Sequence, residues 1–175
     1  NELGLSYFGA GKTLDEASIP LKLTFEKDNI LIMTFGWEVI ECPLADKNKA
    51  GVNPLTDDYV LSEFSKYQEL YPGWKILIFF HWDYELETFP LPSQRKLAFD
   101  LIDKGCEGII GAHPHRVQGA EIHKGKPIIY SVGNWAFQQR AYFRGKLTFP
   151  EFCNIQLAFE YCADGNHQCH FFTFD

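Results

Sequence analysis

The feature that most constrains this chain is the run WKILIFF at residues 74–80, which carries a single charge and reads as a strand covered on both faces. The stretch SQRKLAFDLIDKG (93–105) then reads as a helix capped by Ser93 and closed by Gly105, leading into a short strand at 107–111. Strand, helix and strand at this spacing call for a parallel pair joined by a right-handed crossover. Both strands run into histidine, the first at His81 and the second at His113 in EGIIGAHPHRVQGAEI. Ligands of open α/β sheets gather at the carboxyl ends of the strands, so the two histidine loops are expected to share one edge.

The rest of the chain fits around that unit. LKLTFEKDNILIMTF (21–35) reads as two strands about the turn Lys27-Asp28-Asn29, because β-branched and aromatic residues fill both arms. TDDYVLSEFSKYQELYPG (56–73) has apolar residues at 60, 61, 64, 67 and 70, the stripe of a core-packed helix, with Thr56 or Asp57 as N-cap and Gly73 past its end. GAEIHKGKPIIYSVG predicts a hairpin turning at Lys124-Gly125-Lys126, and NIQLAFEY and QCHFFTFD an antiparallel pair about Asp164-Gly165. The 175 residues, 46% hydrophobic and 16% aromatic, suffice for a real core, and one domain over 1–175 is the simplest organisation.

Composition excludes some functions. A formal charge of −7, a pI near 5.3 and the lack of any Lys/Arg cluster argue against nucleic acid as a partner. No apolar stretch approaches the roughly 20 residues needed to span a bilayer. The opening NELGLSYFGAGK has neither a charged nor an apolar targeting region, and without an initiating Met it is compatible with a segment cut from a longer protein that carried one. The five cysteines are odd in number and lack C-x-x-C spacing, which favours a reducing, cytoplasmic setting over a zinc knuckle or disulfide framework. Cys162 and Cys169 flank the turn ADGNHQ, and a bridge across the hairpin or two idle thiols are both open at this point, idle thiols being the simpler reading.

His113-Pro114-His115 also admits two readings. Imidazole is the commonest protein ligand of transition metals, and the proline holds His113 out of the helical region before any ion arrives. Alternate residues of any exposed strand, however, point the same way, so H-x-H alone is a weak signal.

Longer motifs add to this. The segment HWDYELETFPLPSQRKLAFDLIDKGCEGIIGAHPHRVQGAEIHKGKPIIYSVGNW, with YFGAGKTLDEA upstream, resembles the CapA/PgsA family of poly-gamma-glutamate capsule synthesis proteins over roughly residues 4–136. Members typically read H-W-G-x-E-Y, L-I-D-x-G-A-D, G-x-H-P-H and S-L-G-N-F. The resemblance implies a calcineurin-like metallophosphoesterase fold of layered αββα type, of which this chain holds the C-terminal half. It makes His81, His113 and His115 ligands of divalent metal, Mn, Zn or Fe. It makes Glu85 a partner of a ligand imidazole or of substrate, and Asn134 a residue that orients substrate or a bound water, with a solvated carboxylate and a turn residue as their plain alternatives. Pro90 and Gln94 match at structural positions, ending the loop and starting the helix.

Departures carry information too. Asp83 stands at a family glycine, Leu86 at a tyrosine and Trp135 at a phenylalanine. Asp83 reads as an inert surface charge rather than an extra ligand. The family's G-D, N-L-E and A-N-N-H segments, which supply the bridging Asp and an Asn ligand, are not in these residues. Two functions follow: a metal-dependent hydrolase acting on a phosphoester or anionic polymer, or a non-catalytic assembly or polymer-binding component, a truncated inactive relic included. The resemblance also implies a cell-surface or membrane-associated setting, against the cytoplasmic one favoured by the thiols. Oligomeric state is left open.

Overall fold

The computed structural model describes residues 7–26, 28–135 and 148–173. It is a mixed α/β structure built on a six-stranded sheet. Across the sheet the strands are β2 (Leu21–Thr24), β3 (Asn29–Gly36), β5 (Lys75–His81), β6 (Gly108–Ala112), β8 (Lys126–Ile129) and β7 (Ala120–His123). The four central strands are parallel and both edge strands antiparallel. Two further ladders lie outside it, β1 (Ala10–Gly11) with β4 (Gly51–Val52), and β9 (Ile155–Glu160) with β10 (Gln168–Thr173). A single helical turn, α1 (Leu14–Ala17), follows β1 and is capped by the Thr13 side chain.

The expected crossover is present: β5 and β6 are parallel neighbours in register from Leu77↔Gly108 to His81↔Ala112, with α3 (Pro92–Asp103) between them in sequence. Side chains alternate across the sheet, so Leu31, Met33 and Phe35 lie on one face in register with Ile76, Ile78 and Phe80. That face packs against Val60, Phe64 and Tyr67 of α2 (Asp57–Leu70) and Leu97, Ala98, Leu101 and Ile102 of α3, forming one core. Each fully buried Leu, Ile or Phe there contributes roughly 1.5–3 kcal/mol. Among the described residues no helix is long and apolar enough to cross a membrane.

Local details refine the sequence reading. Ser93 is not the cap of α3: the helix begins at Pro92, where the missing N–H costs nothing, and Gln94 Oε1 accepts from Leu91 N at 3.1 Å. Thr56 is the N-cap of α2 but makes no side-chain capping bond, and Leu70, the last helical residue, is 59% exposed. The two hairpins form at the expected turns, Lys124 and Gly125 both taking positive φ. In the second, Cys169 lies opposite Phe159 rather than Cys162, and all five thiols are free.

Candidate metal centre

His81 is the last residue of β5, flanked by Gly36 and Ala112 on the neighbouring strands. Alternation from the core residue Phe80 turns its side chain to the sheet face away from the helices. His113 and His115 lie beyond the end of β6, with φ of 113° and 57°. Their convergence therefore does not come from strand alternation. Pro114 does keep His113 out of the helical region, and its carbonyl accepts from Leu86 N at 2.9 Å, tying the second loop to the first. The ring centroids of His81 and His113 are 4.9 Å apart, and those of His113 and His115 5.8 Å. Of the six non-glycine residues with positive φ among the described residues, four (Asp83, Leu86, His113 and His115) lie in these two loops. Each such residue costs of order 1–3 kcal/mol and persists only where its surroundings hold it.

Burial, and after it the neighbouring His81 and His115 rings, pushes His113 down to about 4; burial followed by His115 also lowers His81. Both are neutral at pH 7 and carry a nitrogen lone pair. His115 is held by Asn134, whose Oδ1 lies 2.6 Å from Nδ1, and by Phe149, which stacks on its ring at 4.2 Å and 25°. Glu85 Oε1 stands 3.9 Å from His115 Nε2, on a side chain 62% exposed. The fold thus gathers His81, His113, His115, Asn134 and Glu85 at one sheet edge. The neutral imidazoles of His81 and His113 suit a borderline metal such as zinc. The donor set is nevertheless partial, because no three or more His, Cys, Asp or Glu among the described residues are grouped closely enough to hold an ion.

Asp83 departs from expectation. It is fully buried rather than an inert surface charge, with Oδ1 accepting from Tyr84 N and Oδ2 from Gln118 Nε2, both at 2.8 Å. Gln118 also donates to Glu87 O at 3.1 Å, so the carboxylate and the amide together pin the loop that follows His81. An Asp tolerates its φ of 72° better than most residues, which explains why the loop can turn there without glycine. Trp82, between His81 and Asp83, is fully buried; it stacks on Phe80 at 4.4 Å and donates from Nε1 to Tyr130 O at 2.9 Å. That bond passes over Gly111, where a Cβ would come within 2.0 Å of Tyr130 O and 2.4 Å of Trp82 Nε1.

The sequence reading missed Gln118, Trp82 and Phe149 as parts of the site. Gln118 and Trp82 lie inside the family-like segment, but only the fold shows what they hold. Phe149 lies beyond it and carries no sequence signal. Asn134 does not take the left-handed conformation of its turn; Gly133 does, with φ of 74°. Beside His81 the sheet face opposite the helices opens into a groove of about 350 Å³, lined by Phe8, Thr34, Phe79, Val52 and Cys42 among others.

The PGA biosynthesis protein CapA of Bacillus subtilis (strain 168) is 32% identical over 141 residues, which are 77% of this chain and 35% of that protein. The capsule biosynthesis protein CapA of Bacillus anthracis is 29% identical over 143 residues, 79% of this chain and 34% of that protein. The chain therefore spans about a third of the length of these curated relatives. A hypothetical protein from Thermus thermophilus shares the fold, with a TM-score of 0.52 at 13% identity over 89% of this chain and 62% of its own. Residues 1–139 match the bacterial capsule synthesis protein family PGA_cap, and with most of its length inside that match the chain belongs to this family.

Proposed function

We propose that this chain supplies the histidine-bearing part of a metal-dependent hydrolytic centre in a protein of capsule or poly-gamma-glutamate biosynthesis. The observation that carries the reading is the concentration of positive-φ backbone in the two loops that bring His81, His113 and His115 together. A fold that tolerates such backbone where it presents three imidazoles is arranged for what those rings hold. The names of the two relatives and the metallophosphoesterase resemblance supply the biological setting.

In this reading His81, His113 and His115 would contribute ligands to an ion whose donor set is completed beyond the described residues, and Glu85, exposed at the rim, would position substrate. A bound divalent ion lowers the pKa of its water and polarises a phosphoryl or amide oxygen. Neutral rings matter here, because a protonated imidazole offers no lone pair and would repel the cation. With a formal charge of −7, the chain needs a local cation to receive a phosphoester or polyglutamate. A non-catalytic assembly role is the second reading, favoured by the partial donor set among the described residues.

The test is titration of the metal-free chain with Co(II), Zn(II) and Mn(II), followed by absorption and calorimetry. Weak binding is expected, and His81→Ala, His113→Ala and His115→Ala should each abolish it. Binding that survives all three substitutions would overturn the metal centre. Binding without hydrolysis of phosphodiesters or glutamyl amides, even in a full-length family member, would favour the assembly role.

A further inference from the structure

Asn134 is 7% exposed, and both ends of its carboxamide are engaged. Its Nδ2 lies 3.5 Å from the carbonyl of Cys153, in the 3-10 turn Glu151–Asn154. A carbonyl can only accept, so the nitrogen end of the amide belongs there and the oxygen end faces His115. The amide oxygen in turn only accepts, and it lies 2.6 Å from His115 Nδ1, so that nitrogen must carry the hydrogen. In the neutral form of the ring, which has one N–H, this places the lone pair on Nε2, the nitrogen on the Glu85 side. Phe149, stacked on the ring, sets its plane while the hydrogen bond sets its rotation.

We propose that Asn134 is a positioning residue: anchored on the Cys153 carbonyl, it holds His115 in the Nδ1–H tautomer, so that Nε2 is the nitrogen presented to the centre. The purpose of this arrangement rests on the metal reading, but its geometry does not. Free histidine in water prefers the opposite tautomer, with hydrogen on Nε2. The protein therefore has to impose the Nδ1–H form, and a fixed acceptor on Nδ1 is the usual means by which proteins select a ligand tautomer. It also gives a side chain 19 residues beyond the H-P-H motif a defined task that turn geometry does not account for.

Long-range ¹H–¹⁵N correlation spectra of the metal-free chain at pH 8 read the tautomer directly. Wild type should show His115 protonated at Nδ1. Asn134→Ala should shift it towards the Nε2–H form, and Asn134→Asp, which keeps an acceptor oxygen in place, should restore the Nδ1–H signature. Backbone amide spectra monitor folding of each variant. Should Asn134→Ala fail to fold, the wild-type and Asn134→Asp spectra still decide. A wild-type His115 with hydrogen on Nε2, or an unchanged tautomer in a folded Asn134→Ala, would overturn the proposal. In a parallel Co(II) titration, Asn134→Ala should weaken binding about 10-fold or more, with recovery in Asn134→Asp. An Nδ1–H signature in a wild-type chain that binds no metal would refute the metal centre while leaving the positioning role intact.

Discussion

Replacing Asp83 by alanine tests whether the loop after His81 is held from within. The substitution removes the acceptor of Tyr84 N and one of the two acceptors of Gln118 Nε2, and it places a Cβ residue without a local hydrogen bond at φ 72°. Losing the Tyr84 bond costs about 1 kcal/mol, since that amide is only part-buried. Loss of the fully buried Gln118 contact costs about 1–2 kcal/mol. The left-handed backbone adds about 1 kcal/mol for alanine. Some of this is returned because no carboxylate remains buried, which leaves an expected loss of about 2–3 kcal/mol. Asp83→Gly should lose about 1 kcal/mol less than Asp83→Ala, since glycine accepts the backbone. Asp83→Asn should lie between wild type and alanine, because its amide keeps one acceptor but sets an N–H against Gln118. Urea unfolding followed by tryptophan fluorescence suits the measurement, Trp82 being fully buried next to the altered residue. A change within about 0.5 kcal/mol for Asp83→Ala, as for an ordinary surface charge, would refute the reasoning.

Gly111→Ala should lower soluble yield and unfolding temperature sharply, because its Cβ would meet the Tyr130 carbonyl and Trp82 Nε1; near-wild-type melting would show that this edge of the sheet can yield. The metal-free chain should lose stability as pH falls from about 6.5 towards 4, because the unfolded His113 takes up its proton near 6.5 and the folded one near 4. His81, lowered in the same direction, adds to this slope, and His113→Gln should flatten it when urea midpoints are compared across that window. Brief alkylation of the native chain, read by mass spectrometry, should label exposed Cys169 at least about 10-fold faster than Cys106, which is fully buried and pushed up to about 12. Equal labelling of the two would contradict the packing around β6.

The sequence alone determined the parallel β5–α3–β6 unit, both hairpins and the edge on which His81 and His113 emerge. These follow from local signals: an unbroken apolar strand, a helical stripe, turn residues, and the handedness of crossovers. It also carried the family, through the combined spacing of H-W, G-x-H-P-H and G-N. What it did not determine was which polar residues the fold would take inside. Asp83 sits in a polar loop and reads as solvated, yet it is fully buried because Gln118, 35 residues away, comes to meet it. Asn134 reads as a turn residue, yet it spans His115 and the Cys153 carbonyl from positions 19 residues away on either side. Phe149 lies 34 residues from the ring it covers. Local patterns set backbone conformation over a few residues. Burial and hydrogen-bond pairing between distant segments exist only once the sheet has brought them together, and for that reason only the tertiary structure decided how the histidines are held.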